Sequence, residues 1–268
     1  MEPAKAMVLL VFFANRQYYY FMSYKAVILD LDGTAIANEE SARPSERLIK
    51  IIQKINNQVQ VCVATGRPLF NCREIIKKLQ LTAPCIISGG TQILEPVSGK
   101  IIWEKLLSVE QIKAVLKIVK PFAYRIFFSD EEISVLAKDK LVTKPENILF
   151  IIRITREDTD FLIKALRKIP NIAAHEAPSW TPNRYCVHVT HQEATKQHAL
   201  EILFKRLKVK PDEVIGFGDA PNDIPIFQAV GYKVAMDNGS AELKKLADRV
   251  EPNEDNEGVA RVLEEIFL

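Results

Sequence analysis

The stretch Ala26-Val27-Ile28-Leu29-Asp30-Leu31-Asp32-Gly33-Thr34 decides the fold. Four apolar residues run without interruption into two carboxylates, and such a run predicts a strand that is buried on both faces of a parallel sheet. The carboxylates then lie at the carboxyl end of the strand, where open α/β sheets bind their ligands. Because residues i and i+2 of an extended chain point the same way, Asp30 and Asp32 are expected to face one point.

Two carboxylates that face one point need compensation, because like charges a few ångströms apart are not cheaply ionised together. A divalent metal ion, a nucleophile paired with an acid, or both would supply a reason for the pair. The alternative is a purely structural role, in which the strand is followed by an Asx-type turn around Asp32 and Gly33.

The same alternation of apolar runs and amphipathic segments recurs along the chain and predicts an α/β fold. It indicates a doubly wound, Rossmann-like parallel sheet with crossover helices. Predicted strands are 26–29, 59–64, 85–87, 214–217 and 232–235, and predicted helices are 44–56, 70–79, 195–207, 223–230, 241–246 and 259–267.

A second domain is predicted within this alternation, at residues 88–187. Its strands come in runs around two helices, 109–119 and 158–169, which is typical of an α+β module with an antiparallel sheet. The core would then consist of residues 22–87 and 188–268. Since the inserted module leaves and rejoins one sheet, it should lie over the edge that carries Asp30.

Composition excludes some classes of function. The chain has 36 basic and 34 acidic residues, and a net charge of +2 argues against nucleic-acid binding driven by charge. Four cysteines without a Cys-x-x-Cys pair indicate neither a zinc site nor a disulfide framework, which favours reduced thiols and a cytoplasmic protein. Residues 1–21 are expected to be an extension without function, the alternatives being a signal or weak anchor and an extra packed element; no membrane span is predicted.

Two further strand ends carry polar residues. Thr65 and Gly66 follow the second strand, and Asp219 and Asp223 follow the strand 214–217. Lys196 begins a helix and could balance the negative charge. Carboxylates with room for water suit Mg²⁺.

These motifs, Asp30-x-Asp32-Gly33-Thr34, Thr65-Gly66-Arg67, Lys196 and Gly218-Asp219-x-x-Asn222-Asp223, resemble those of the haloacid dehalogenase (HAD) superfamily. More narrowly the chain resembles the Cof-type (IIB) phosphatases, whose large cap lies between the second and third motifs. The likeness extends from about Tyr24 to the end of the chain.

The resemblance implies a Mg²⁺-dependent phosphomonoester hydrolase. Asp30 would attack phosphorus to form an aspartyl-phosphate, and Asp32 would protonate the leaving oxygen and then activate water. Mg²⁺ would be held by the Asp30 side chain, the Asp32 backbone carbonyl and Asp219.

The resemblance also assigns supporting residues. Thr65, Gly66 and Lys196 would bind the transferring phosphate oxygens. Asn222 and Asp223 would orient Lys196 or the metal-bound waters without binding the metal ion directly.

The substrate would be a small phosphorylated metabolite, most often a sugar phosphate in this family. Arg67, Trp180 and Arg184, with Tyr185, are candidate substrate contacts. A phosphomutase and a non-catalytic phosphometabolite-binding protein are the alternatives, and a monomer or a homodimer is expected. His188 and His191 are not expected to bind a metal ion, because alternation along a strand places them on opposite faces.

Overall fold

The computed structural model describes residues 24–129, 134–136, 142–177, 179–253, 255 and 257–268. The extension predicted at 1–21 lies outside these ranges. Among the described residues, every helix is too short or too polar to cross a bilayer. The elements follow one another as β1 (Ala26–Leu29), α1 (Glu46–Ile55), β2 (Gln60–Val63), α2 (Leu69–Lys78), β3 (Cys85–Ile87), β4 (Gln92–Glu95), β5 (Lys100–Glu104), α3 (Val109–Val119), β6 (Arg125–Ser129), β7 (Ser134–Leu136), β8 (Leu149–Ile154), α4 (Arg156–Leu166), β9 (Ile172–Ala177), β10 (Tyr185–His191), α5 (Lys196–Leu207), β11 (Val214–Gly218), α6 (Ile224–Ala229), β12 (Tyr232–Met236), α7 (Ala241–Leu246), β13 (Arg249–Glu251) and α8 (Gly258–Phe267).

A parallel sheet in the order β13-β12-β11-β1-β2 forms the core. Strand β1, which lies between β11 and β2, is fully buried because helices cover both faces of the sheet. Val27 and Leu29 pack on the face covered by α1, α2 and α8, and Ala26 and Ile28 pack on the face covered by α5, α6 and α7. This confirms the doubly wound α/β fold. The short strand β13 at the edge was missed, since three residues carry too little pattern to be recognised.

Strands β3, β4 and β5 form a small antiparallel sheet beside the core. A parallel bridge between Ala64 and Ile86 joins β3 to the end of β2, as the sequence predicted, but β3 pairs more extensively with the antiparallel strand β4. Ile93 and Leu94 of β4 pack into the two core clusters. The predicted division at residue 88 remains a prediction, and this packing favours a later start of the second domain, near residue 105.

The second domain contains an antiparallel sheet in the order β7-β6-β8-β10-β9. One face of this sheet packs against α3 and α4 through a separate cluster of apolar residues between Leu107 and Val189. The strands therefore alternate, with one face apolar and buried and the other turned away from the helices. That second face becomes part of the site described below.

Gly90 lies between β3 and β4, where the chain passes close to the first residues of α5. Its φ is +103°, and a Cβ placed there would lie 2.2 Å from the Lys196 backbone nitrogen and from the Thr195 carbonyl carbon. Only glycine fits this close approach of two backbones. Gly90 therefore fixes the start of α5, and with it the position of Lys196.

We predict that Gly90→Ala lowers the free energy of unfolding by about 3 kcal/mol, through a steric clash added to backbone strain. Urea unfolding followed by circular dichroism measures this. Gly99→Ala is the matched control, because Gly99 also has positive φ, at +69°, but its Cβ would have no atom within 4 Å. Its cost should be about 1 kcal/mol. Equal losses in the two variants would contradict the close approach.

Candidate active site

Lys196 is the first residue of α5, whose N-cap Thr195 accepts a hydrogen bond from the His198 backbone N–H. Its ammonium nitrogen donates to Asp30 Oδ1 at 2.7 Å and to Asp223 Oδ1 at 2.6 Å. The Lys196 and Asp30 side chains are each only 4% exposed. The structure therefore brings together three predicted site residues from three separate stretches of the chain.

Hydrogen bonds from neighbouring residues hold the carboxylates of Asp223 and Asp219 in place. Asp223 Oδ2 accepts hydrogen bonds from the backbone N–H groups of Asp219 and Ala220, each at 3.1 Å. Asp219 Oδ1 accepts one from the Thr34 hydroxyl at 2.9 Å. The loop after β11 is thus closed on itself and tied to the loop after β1.

Burial sets the electrostatics of this cluster. It raises the pKa of Asp30 well above the usual range, and the neighbouring Asp223 carboxylate adds to this, whereas the Lys196 ammonium opposes it. Burial alone would lower the pKa of Lys196, but the Asp223 and Asp30 carboxylates outweigh it and raise that pKa. Lys196 therefore stays charged, and this single cation faces three acidic side chains, those of Asp30, Asp219 and Asp223.

The residues present fit a hard divalent cation. One carboxylate oxygen from each of Asp30, Asp219 and Asp223 lies within 4.8 Å of the others. Asn222 Oδ1 is buried without a hydrogen-bond partner in the described chain, and no described donor bonds the Asp32 carbonyl oxygen. An all-oxygen set with excess negative charge suits Mg²⁺ better than zinc. Asp223 is the residue least suited to be a direct ligand, since Lys196 and two N–H groups already bond its oxygens.

The Asp32 carboxylate faces Arg67, which the sequence had marked as a substrate contact. Arg67 Nη2 donates to Asp32 Oδ1 at 2.6 Å, and Arg67 Nε donates to Asp32 Oδ2 at 2.9 Å. Arg67 also donates to the carbonyls of Glu39 and Glu40, at 2.6 and 3.0 Å. Trp180 Nε1 donates to Asp32 Oδ1 at 3.4 Å. Arg67 and Trp180 therefore position Asp32 in this structure.

Thr65 and Gly66 lie directly after β2, as predicted. The Thr65 side chain is fully buried, and its oxygen accepts the Arg67 backbone N–H at 3.0 Å, so its own hydroxyl proton is left to donate. Gly66 lines the cavity described next, where a Cβ would lie 3.1 Å from the His188 ring. Their binding of phosphate remains a prediction.

A cavity of about 720 Å³ opens above Asp30 and Asp32. The core contributes several wall residues, and the rest come from the open face of the second domain's sheet and from the loop between β9 and β10. The wall consists of Asp30, Asp32, Glu40, Gly66, Arg67, Pro68, Phe70, Asn71, Arg125, Phe127, Phe150, Ile152, Arg153, Ser179, Trp180, Thr181, Cys186, His188 and Asn222.

Two predicted substrate contacts lie outside this wall. Arg184 is exposed in the turn before β10, and Tyr185 packs under the Arg156 guanidinium, whose central carbon lies 3.9 Å from the Tyr185 ring centroid. A basic or aromatic side chain does not show on which side of a sheet or turn it lies. A substrate contact by Arg184 or Tyr185 remains a prediction.

Sequence reasoning gave no role to three residues that the structure places at the site. Thr34 bonds Asp219, and Asn238 Nδ2 donates to the Gly33 carbonyl at 2.9 Å. His188 is 7% exposed in the cavity wall, with its ring edge-on to Phe150. Burial lowers the pKa of His188, so the ring is neutral at pH 7. Thr34 belongs to the quoted motif Asp30-x-Asp32-Gly33-Thr34, Asn238 lies after β12 outside the quoted motifs, and His188 has no signal beyond its place in a strand.

Comparison with known proteins is consistent with this geometry. The family model for haloacid dehalogenase-like hydrolases matches residues 27–147 and 133–263. Phosphoglycolate phosphatase 1 of Saccharolobus solfataricus is 32% identical over 255 residues, which cover 91% of this chain and 96% of that protein.

Solved structures share the fold. A haloacid dehalogenase-like hydrolase from Bacteroides thetaiotaomicron superposes with a TM-score of 0.74 at 22% identity and covers 91% of this chain and 100% of its own. A HAD subclass IIB sugar phosphatase superposes with a TM-score of 0.73 at 20% identity, over 90% and 98% of the two chains. At these identities the likeness is one of fold.

We predict that Lys196→Met lowers the free energy of unfolding by about 3 kcal/mol or more, because it leaves buried carboxylates without their cation. Urea unfolding at pH 7 in EDTA measures this without a metal ion. Lys25→Met is the control, since Lys25 pairs with Glu213 at 2.5 Å but its side chain is 54% exposed. That surface pair should contribute less than about 1 kcal/mol. A loss at Lys196 no larger than the loss at Lys25 would contradict the balancing role.

Proposed function

The chain belongs to the haloacid dehalogenase-like hydrolase family, and from this we propose that it is a Mg²⁺-dependent phosphatase. It hydrolyses a small phosphate monoester through an aspartyl-phosphate on Asp30. The observation that carries the proposal is the buried contact of Lys196 with Asp30 and Asp223, next to a cavity that Asp30 lines. A cation held beside a carboxylate in this way can also attract a phosphate group.

Asp30 is the nucleophile in this proposal. Lys196 occupies Asp30 Oδ1, whereas Asp30 Oδ2 has no hydrogen-bond partner among the described residues, and Asp30 lines the cavity. Oδ2 attacks phosphorus, an O–P bond to Asp30 forms, and the ester O–P bond breaks. Lys196 and the Thr65 hydroxyl bind the phosphoryl oxygens as their charge is redistributed.

Asp32 moves the protons. In the first step its carboxyl group gives a proton to the leaving alkoxide, and in the second it takes a proton from the attacking water. The water oxygen bonds to phosphorus, the Asp30–phosphorus bond breaks, and inorganic phosphate leaves. The bidentate contact with Arg67 holds the Asp32 carboxylate at the cavity wall, and for each transfer one Asp32 oxygen leaves Arg67.

Asp30, Asp219 and the Asp32 carbonyl would hold the metal ion, with Asn222 close by and Asp223 orienting Lys196. When bound, Mg²⁺ reduces the repulsion between the carboxylates and the substrate phosphate. The excess of buried negative charge around Lys196 supports this assignment.

A sugar phosphate is the substrate class that we propose first, with the phosphoglycolate named for the S. solfataricus relative as a second candidate. A cavity of about 720 Å³ accommodates a metabolite of this size. Action in the cytoplasm, as a monomer or a homodimer, remains a prediction from the sequence.

We predict that Asp30→Asn reduces turnover of p-nitrophenyl phosphate to below a few per cent of wild type, because the amide is a poor nucleophile. The melting temperature should change little, since the substitution is nearly isosteric. Asp248→Asn is the control: Asp248 pairs with Lys233 near the surface and should leave turnover unchanged.

Retained hydrolysis in Asp30→Asn would refute the nucleophile assignment. Release of inorganic phosphate without a bisphosphate activator would separate a phosphatase from a phosphomutase. Absence of turnover of all phosphate esters by the wild-type protein would favour a binding protein.

We further predict that Mg²⁺ raises the melting temperature of the wild-type protein but not of Asp219→Asn. A ligand at about 100 times its Kd adds about 2.7 kcal/mol to the stability of the native state. Differential scanning fluorimetry in EDTA and in excess MgCl₂ measures this without substrate. Equal stabilisation of both proteins would exclude Asp219 as a ligand, and full activity in excess EDTA would exclude the metal altogether.

A further inference from the structure

The open face of the second domain's sheet forms a roof over Asp30 and Asp32. The register of the sheet places its side chains in two cross-strand rows. The inner row consists of Phe127, Phe150 and His188, and the outer row of Arg125, Ile152 and Cys186. All six residues line the cavity.

The direction of β10 shows which of the two rows lies nearer to Asp30 and Asp32. This strand runs toward Lys196 at the start of α5, and a Cβ on Gly66 would lie 3.1 Å from the His188 ring. The row of His188 is therefore nearer to Asp30, and the row of Cys186 lies one strand step, about 7 Å, farther out. The cavity is thus aromatic near the reacting phosphate and basic at its outer end.

Arg153 adds a second positive charge to the outer end because β8 contains a bulge. Ile152 pairs with Cys186 and Ile154 pairs with Tyr185, so Arg153 is an extra residue in the ladder. Its φ is +60°, a conformation that residues other than glycine rarely adopt. Without the bulge, alternation would turn residue 153 toward α4; with it, Ile154 packs in the apolar cluster and Arg153 lines the cavity.

These two arginines have no neutralising partner in the part of the chain that the structure describes. Within the described ranges, Arg125 and Arg153 form no ion pair with a carboxylate. The carboxylates in the wall, from Asp30, Asp32 and Glu40, all belong to the core. The Arg125 guanidinium carbon lies 5.2 Å from the Phe127 ring centroid, a cation–π contact that holds it over the sheet.

We propose that the substrate carries a second anionic group, a carboxylate or a phosphate, at the end opposite to the transferred phosphate, and that Arg153 and Arg125 bind it. The inference rests on the proposed phosphatase function and narrows it. A guanidinium that loses water on binding an anion forms strong, charge-assisted hydrogen bonds. The aromatic row would contact the carbon skeleton between the two anions.

Matched substrate pairs test the proposal, each pair differing only in its outer end. They are 3-phosphoglycerate with glycerol 3-phosphate, and 6-phosphogluconate with sorbitol 6-phosphate. In at least one pair the wild-type kcat/KM should favour the anionic member by about tenfold or more. Sorbitol 1,6-bisphosphate shows whether a phosphate serves in place of the carboxylate.

Variants of Arg153 and Arg125 test whether these two residues cause the preference for the anionic substrate. Arg153→Gln and Arg125→Gln should each reduce the anionic preference about tenfold, mainly through KM. Arg206→Gln, an exposed arginine on α5, should leave the preference and turnover of p-nitrophenyl phosphate unchanged. Arg153→Gly should lose the preference without a lower melting temperature, because glycine tolerates the positive φ; this separates lost recognition from lost folding.

The two proposals fail in different ways. Wild-type protein that hydrolyses p-nitrophenyl phosphate but prefers neither carboxylate member of the two pairs, and does not prefer sorbitol 1,6-bisphosphate to sorbitol 6-phosphate, would overturn this inference and leave the phosphatase intact. A preference that survives in both Arg153→Gln and Arg125→Gln would overturn the assignment to these arginines. No hydrolysis of any ester would overturn the function itself.

Discussion

The buried ammonium of Lys196, between the carboxylates of Asp30 and Asp223, is the interaction on which the rest of the site depends. Acidic residues that follow two neighbouring strands of one parallel sheet must meet at one edge, and burial there is unfavourable for each negative charge. A cation is required at that point, and α5 supplies it from its first residue. The tight approach of Gly90 to the backbone of Thr195 and Lys196 fixes where α5 begins.

The second domain completes the site without contributing to this charge balance. Its sheet uses one face to pack on α3 and α4 and leaves the other face over the floor of the cavity. In the proposed mechanism the reacting groups and the groups that would contact the leaving part of the substrate therefore come from different domains. The bulge at Arg153 is one local feature that shapes the cavity wall contributed by the second domain.

Arg67 shows how one residue can connect the two parts. It follows β2 in the motif Thr65-Gly66-Arg67, bonds the Asp32 carboxylate, and lies beside Trp180 with 5.3 Å between the guanidinium carbon and the ring centroid. Its guanidinium also bonds two backbone carbonyls of the loop after β1, at Glu39 and Glu40. An arginine used in this way serves to position the acid, although its charge alone suggested a role in binding substrate.

The sequence by itself determined the parallel core, the inserted antiparallel domain and the set of residues at the sheet edge. It could do so because apolar runs that end in polar residues are local signals, and parallel strands bring their carboxyl ends together wherever they occur. Only the tertiary structure decided that Arg67 bonds Asp32, that β3–β5 pack with the core, and that Arg153 rather than Arg184 lines the cavity. These outcomes depend on bulges, register and the approach of distant backbones, which leave no periodic pattern in the chain because each is settled by packing between segments far apart in sequence.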